Sequence, residues 1–379
     1  MSASFEITVL GASGGPWDGT TQCFMIHPTS SAIDISSVCV DGGVGVSSIL
    51  QILSKSNHPE RQNEIESYYE SEFEPISKYV DDRMPFRVGF SKKIMDQLEL
   101  GRNSKSQIYS LSTMATRVFQ GIEEYYFTHP HMDHINGFII NSPMIYDPEY
   151  NASKNLYGLS FTMEALKKHI FNDIAWPNLL NDGTDMIKAN NLKNGVRHIS
   201  KLFPQWKIIP FKVSHGIGAT KAKEKIYSTV YVIVDNITND CIVVGGDVER
   251  DPADGSKIYL DKVWQYLAYK IPLGHLKGIF IECSSPNSLK DEQLYGHMSP
   301  KHLVEELDRL LELYSTIPDR TRDLSKQPLK ILITHVKMIT SLRDPRLIIL
   351  DELRDMSKET KLEDKVIFSM AVPGYTFSL

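Results

Sequence analysis

Apolar and polar positions alternate along 5–10, where β-formers dominate, so a strand is predicted that runs into the glycine loop GASGGPW. Residues 23–27 and 37–40 continue the pattern, the second run stopping at Asp41-Gly-Gly. Over 44–54, Ile49, Leu50 and Leu53 share one face of a predicted helix. From 56 to 84 the character changes to acidic and polar (NEIESYYESEFEPISKYVDD), which reads as a solvated, partly helical insertion. Tyr68, Tyr69, Phe73 and Tyr79 would give it apolar anchors if it served instead as a lid or a homodimer contact. Beyond it, strands are predicted over 122–127, 207–213, 242–244, 278–281 and 329–333, with 227–234 pairing back on 242–244 across the turn NITND. Helices open at Ser299-Pro300, through Leu303, Leu307, Leu310, Leu311 and Tyr314, and at Asp344-Pro345, through Leu347, Leu350 and Leu353. No tandem repeat or low-complexity tract interrupts this order. The pattern describes one α/β domain over 1–379 with sheets covered by helices.

Composition narrows the classes. The net charge of −6 over 379 residues is the wrong sign for a nucleic-acid partner, which calls for a basic face. The four cysteines, Cys23, Cys39, Cys241 and Cys283, form no Cys-x-x-Cys pair and are too few for a disulfide framework. The N-terminus has no secretory pattern, and no window approaches the roughly 18–20 apolar residues of a membrane helix. Asn151-Ala-Ser and Asn236-Ile-Thr match the glycosylation triplet, which carries no weight without a secretory signal. The expectation is a cytoplasmic protein, with nuclear access open and no membrane or nucleic-acid partner.

The chemistry gathers where the strands end. The run over 122–127 stops at THPHMDH, and the others stop at His215, Asp247, Glu282 and His335. In open α/β sheets ligands collect outside the carboxyl ends of strands, so these residues could share one edge. A lone histidine at a strand end is more often an ordinary core or surface residue, which is the reading for His27, His58, His169, His198, His275 and His302. Four such groups in six positions differ, because burying His129, His131, Asp133 and His134 without a metal would strand polar atoms. His129 and His131 can point to one side, while Asp133 and His134 lie further round the turn. With His215, Asp247 and His335 the ligands number seven, which suits two ions about 3.5–4 Å apart better than one.

His129-Pro-His131-Met-Asp133-His134 resembles the signature of the metallo-β-lactamase superfamily. Asp41 in VDGG, His215 in KVSHG, Asp247 in GGDVE and His335 in ITHVK follow in the same order. The flanking words VLGASGGPWDG, THPHMDHINGF, IECSSPN, YGHMSP and ILITHVK resemble the class II cyclic-nucleotide phosphodiesterases, including fungal low-affinity cAMP enzymes. The resemblance runs from about Phe5 to the end, and the 56–84 insertion matches none of its motifs.

The resemblance implies a metallo-β-lactamase-like αββα sandwich with two divalent metals, zinc foremost and manganese or iron as alternatives. His129, His131 and His215 would hold the first, Asp133, His134 and His335 the second, and Asp247 would bridge them. Asp41 would orient a ligand histidine. Glu282 and His297 look like the carboxylate–histidine pair beside the leaving group in the tRNA 3′-processing branch.

The expected reaction is hydrolysis of 3′,5′-cyclic nucleotides, cAMP and also cGMP, to nucleoside 5′-monophosphates. A metal-bridging hydroxide would be the nucleophile and His297, oriented by Glu282, the proton donor. The alternatives are a metal-dependent RNase of the tRNA 3′-processing type, another ester hydrolase on the same fold, and a non-catalytic binding protein. The first would need a basic surface or a long arm to grip RNA. The Glu282–His297 pair favours phosphate over carboxylic esters, and a binding protein would tolerate lost ligands. The loop GASGGPWDG fails the dinucleotide fingerprint, since Pro16 and Trp17 interrupt the helix start. A turn bringing backbone close to the metal site is expected there instead.

Overall fold

A computed structural model describes residues 3–29, 35–56, 62–100, 110–146, 153–181, 183, 185–218, 224–252, 255, 257–317 and 324–379. His58, Asn151 and Ala152 lie outside them. Two large sheets face each other. One has the spatial order Phe86–Val88, Tyr375–Ser378, Phe5–Gly11, Cys23–Pro28, Ser37–Val40, Ile122–Tyr126, Lys154–Leu159 and Ile187–Leu192. The other has the order His198–Ile199, Trp206–Ile217, Lys225–Asp235, Cys241–Gly245, Leu276–Glu282, Leu329–Thr334 and Val366–Met370.

Period-two alternation decides which side chains lie between the sheets. Phe24 and Ile26 join the inter-sheet core, whereas Cys23 and Met25 pack on the opposite face of the same strand. Ring pairs span the sandwich, Phe24 on Phe280 at 5.3 Å and Phe5 on Trp206 at 5.4 Å. Helices Val46–Ser56, Leu111–Gly121 and Met132–Asn141 cover the first sheet, their buried residues forming a second core with Cys23, Met25 and Cys39. Helices Leu260–Lys270, Pro300–Ser315 and Pro345–Lys358 pack side by side over the second. The result is the αββα layering of the metallo-β-lactamase fold. The strands over 242–244, 278–281 and 329–333 do lie together, in parallel, so their carboxyl ends share one edge.

Two expectations need correction. Asp133 and His134 are not in a loop but in the first turn of helix Met132–Asn141, with His131 as its N-cap. The reason is apolar anchoring directly after the ligands, since Ile135, Phe138 and Ile139 are buried. Nor is the 56–84 insertion simply solvated. Within 62–84, Glu64–Glu66 pairs with Phe73–Pro75, and Ile65, Ile76, Tyr79, Val80 and Met84 are buried in the main core. Tyr79 donates to the Asp344 carboxylate at 2.8 Å, and its carbonyl accepts from Met370 N. Tyr69 and Tyr79, suggested anchors for a partner, pack inside their own chain.

Candidate metal centre

The centre is built at one edge of both sheets, from strand ends and one helix start. Strand Ile122–Tyr126 delivers Thr128, His129 and His131, and the helix that follows presents Asp133 and His134. Gly43 lies beneath that helix, where a Cβ would fall 2.0 Å from the Asp133 carbonyl, so the VDGG turn needs glycine at this close approach. The second sheet supplies His215 near the end of strand Trp206–Ile217, Asp247 after Cys241–Gly245 and His335 after Leu329–Thr334.

The donor atoms fall into two groups of four that share Asp247. One group is His129, His131, His215 and Asp247; the other is Asp133, His134, Asp247 and His335; in each the atoms lie within 4.8 Å of one another. Asp247 Oδ2 faces His129 Nε2 at 3.6 Å and His215 Nε2 at 3.4 Å. Its Oδ1 faces His134 Nε2 and His335 Nε2, each at 3.0 Å. All seven predicted ligands are thus brought together, and none of His27, His169, His198, His275 or His302 joins them.

Partners on the far side of the rings set the tautomers. His134 Nδ1 donates to Asp41 Oδ2 at 2.8 Å, and His215 Nδ1 donates to the Gly296 carbonyl at 3.0 Å. His335 Nδ1 meets Ser284 Oγ at 3.1 Å, and that hydroxyl donates to Glu282 Oε2 at 2.6 Å, so the imidazole is the donor. In the neutral rings each Nε2 carries the lone pair; the Nε2 of His335 also lies 3.2 Å from Asp133 Oδ2 and that of His215 3.3 Å from His131 Nδ1. His129 Nε2, His134 Nε2 and Asp247 Oδ1 are buried and find no hydrogen-bond partner despite these short approaches. With neutral rings these would be buried acceptors converging on one another, an arrangement that fits divalent cations.

Electrostatics agree. Burial, with His134 and His215 nearby, holds His129 well below the usual imidazole range, and burial with His215 takes His131 down to about 4. Burial also works against His335, but the Asp247 and Asp133 carboxylates outweigh it and raise it to about 9. His134 is likewise held above the usual range, by Asp247 and Asp41 against burial. Where no ion is bound, protons on His134 and His335 face the carboxylates of Asp41, Asp133 and Asp247; divalent cations would displace them.

Asp41 is fully buried and left-handed (φ 60°), and it accepts from Thr128 N at 2.8 Å, Gln22 Nε2 at 3.0 Å and His134. Glu282, also fully buried, accepts from Val248 N, Met298 N, Ser284 Oγ and His297 Nδ1, the last at 3.0 Å. The histidine holds its carboxyl below the usual range despite burial. The rings of His297 and His335 stack 5.0 Å apart, which places the Glu282–His297 pair against the ligand cluster. The sequence reading missed Thr128, Ser284 and Gln22; only the adjacency of Thr128 and Ser284 to the motif words hints at them.

The fold and this constellation define a family: the chain belongs to the class-II cAMP phosphodiesterases, whose profile matches residues 38–374. It is 42% identical over 379 residues to 3′,5′-cyclic-nucleotide phosphodiesterase 1 of Saccharomyces cerevisiae, covering 99% of both chains. It is 27% identical to the 3′,5′-cyclic-nucleotide phosphodiesterase of Schizosaccharomyces pombe, covering 95% of this chain and 89% of that one. The crystal structure of unliganded yeast PDE1 superimposes with a TM-score of 0.91 at 40% identity, covering 100% of each chain. Zinc-bound PqqB of Methylobacterium extorquens, at 9% identity and a TM-score of 0.51, shares the fold alone.

Proposed function

We propose that the seven-residue cluster is a dinuclear metal centre, zinc foremost, at which this phosphodiesterase hydrolyses cAMP and cGMP to nucleoside 5′-monophosphates. The observation that carries the reading is the split of Asp247, each oxygen facing histidines of a different group. When bound, two divalent ions would supply Lewis acidity at the phosphoryl group and ionise water at neutral pH.

The chain's own residues do the rest. Asp41, Ser284 and the Gly296 carbonyl fix the ligand tautomers. With its Nδ1–H committed to Glu282, His297 has Nε2 free to carry a proton. Water adds to phosphorus and gives up a proton, the P–O3′ bond breaks, O3′ takes the proton from His297 Nε2, and the proton released by the water restores the imidazolium through solvent. Glu282 stays ionised throughout and balances the imidazolium before transfer. Among the described residues no helix is long and apolar enough to cross a membrane. The four buried, unpaired cysteines support a cytoplasmic setting, with nuclear access and a homodimer kept as parts of the proposal.

The test is metal analysis of the purified protein coupled to product identification. About two ions per chain, 5′-AMP from cAMP and loss of turnover on chelation are expected. Two ions with no cyclic-nucleotide turnover would reject the substrate and keep the centre.

A further inference from the structure

The chemistry above uses neither Trp17 of the loop GASGGPW nor residues 62–84. The structure brings them together around a cavity of about 610 Å³. Ile65, Phe73 and Ile333 give it apolar walls, and the partly exposed Trp17 lines it as well. The Trp17 ring stacks on Tyr69 at 5.9 Å and 14°, and meets the edge of Tyr68 at 5.8 Å. Both tyrosines are tethered, Tyr69 to the Ile339 carbonyl and Tyr68 to the Glu66 carboxylate. An indole that is 36% exposed is therefore held in one orientation.

None of the seven cluster residues lines the cavity, which adjoins the centre through the segment that carries His335. Ser13 and Val336 line it and bridge to each other, and Val336 directly follows His335. The loop presses on that ligand, for a Cβ on Gly14 would fall 2.4 Å from His335 Nδ1. The charges at the cavity discriminate between occupants. Glu64 and Glu66 bring carboxylates. The cations are engaged, Lys55 by the Glu64 carbonyl and Arg346 by Asp344. A phosphate belongs at the metal end, and a neutral flat ring with N–H donors belongs here. Cavities of this size, apolar with a few polar groups, suit small ligands, and an aromatic platform suits a base.

We infer that this cavity receives the purine nucleoside portion of the substrate, with Trp17 as its stacking platform. The inference rests on the phosphodiesterase reading of the adjoining centre. It makes the segment 62–84 a wall of the substrate site.

The experiment uses the metal-loaded enzyme, adenosine as a phosphate-free probe, and cAMP against bis(4-nitrophenyl) phosphate, a diester with no base. Gly19 lines the cavity, its Cβ would meet nothing within 4 Å, and its backbone lies outside the left-handed region, so the side chain of Gly19→Phe starts in open space. Trp17→Ala, which removes a surface ring, is the second variant should the first fail to fold. Either variant is expected to weaken adenosine binding by calorimetry at least tenfold. The ratio of kcat/KM for cAMP to that for bis(4-nitrophenyl) phosphate should fall at least tenfold, chiefly through KM. Equal adenosine affinity in wild type and a folded variant would overturn the inference, as would an unchanged ratio. A wild type without cAMP turnover would sink the phosphodiesterase reading, and adenosine titration would still decide the cavity.

Discussion

Asp41 adopts φ 60°, a conformation uncommon for a residue with a side chain, and in exchange its carboxylate reaches both Thr128 and His134. Asp41→Ala should leave His134 free to turn, weakening the second metal position by about 10–100-fold. Equilibrium dialysis should then retain one ion where wild type keeps two; full retention would reject the orienting role. At His297 the expectation is opposite. His297→Ala should lower turnover by about 10²–10⁴-fold while metal content stays unchanged, and metal loss in that variant would make the residue a ligand instead. The seven-residue cluster was legible because its polar groups crowd the strand ends in tight words, and Asp41 through the resemblance that VDGG carries. Thr128, Ser284 and Gln22 were not, since a hydroxyl or an amide acquires meaning only from what lies beside it. Ser284 links His335 to Glu282 across a separation in sequence that no local pattern reports.

Strands with apolar interiors were legible to within a few residues, because burial on both faces leaves continuous β-branched runs. The insertion was misread because acidic residues occupy its outward positions. Glu64-Ile65-Glu66 is a strand with one buried residue, and net acidity hid the alternation. Helices Leu260–Lys270 and Pro300–Ser315 show the reverse, a polar contact inside an apolar seam. Glu306 accepts from Trp264 Nε1 at 2.6 Å. Burial, reinforced by Asp251 and Asp261 and opposed by the Trp264 bond, raises its carboxyl to about 7. A folded pKa above the unfolded one means the native state holds the proton more tightly, so stability is lost as pH rises from about 4.5 to about 7. The loss is on the order of 3 kcal/mol. Glu306→Gln keeps an acceptor for Trp264 and has no proton to lose. Thermal unfolding at pH 5.5 and 8.5 should show the wild type losing more stability than the variant, and parallel shifts would refute the assignment.

Across the whole molecule the chain closes on itself. Tyr375–Ser378 pairs with Phe5–Gly11, and the Leu379 carbonyl accepts from Ser4 N and Phe5 N. Tyr375–Ser378, and Val366–Met370 in the other sheet, went unread in the sequence. The turn between them is short, and the partners of Tyr375–Ser378, namely Phe5–Gly11 and Phe86–Val88, lie far back along the chain. Phe377 is fully buried between the sheets, against Phe280 and Phe86. Phe377→Ala should lower stability by about 3–5 kcal/mol in urea unfolding; a change below about 1 kcal/mol would show that the sheet edge is not part of the cooperative core.

His129, His131, Asp133 and His134 follow a strand of one sheet, whereas His215, Asp247 and His335 come from the other. An ion shared among them would fasten the two halves of the sandwich like a clasp. Ion binding to the native state alone adds about 2.7 kcal/mol per site at a hundredfold excess over Kd, so chelation should lower the melting temperature as well as stop turnover. In a cell starved of that ion the opened protein would meet proteases more often. The supply of a trace element would then set how many molecules of the enzyme survive, and through that number how long a cyclic-nucleotide signal lasts.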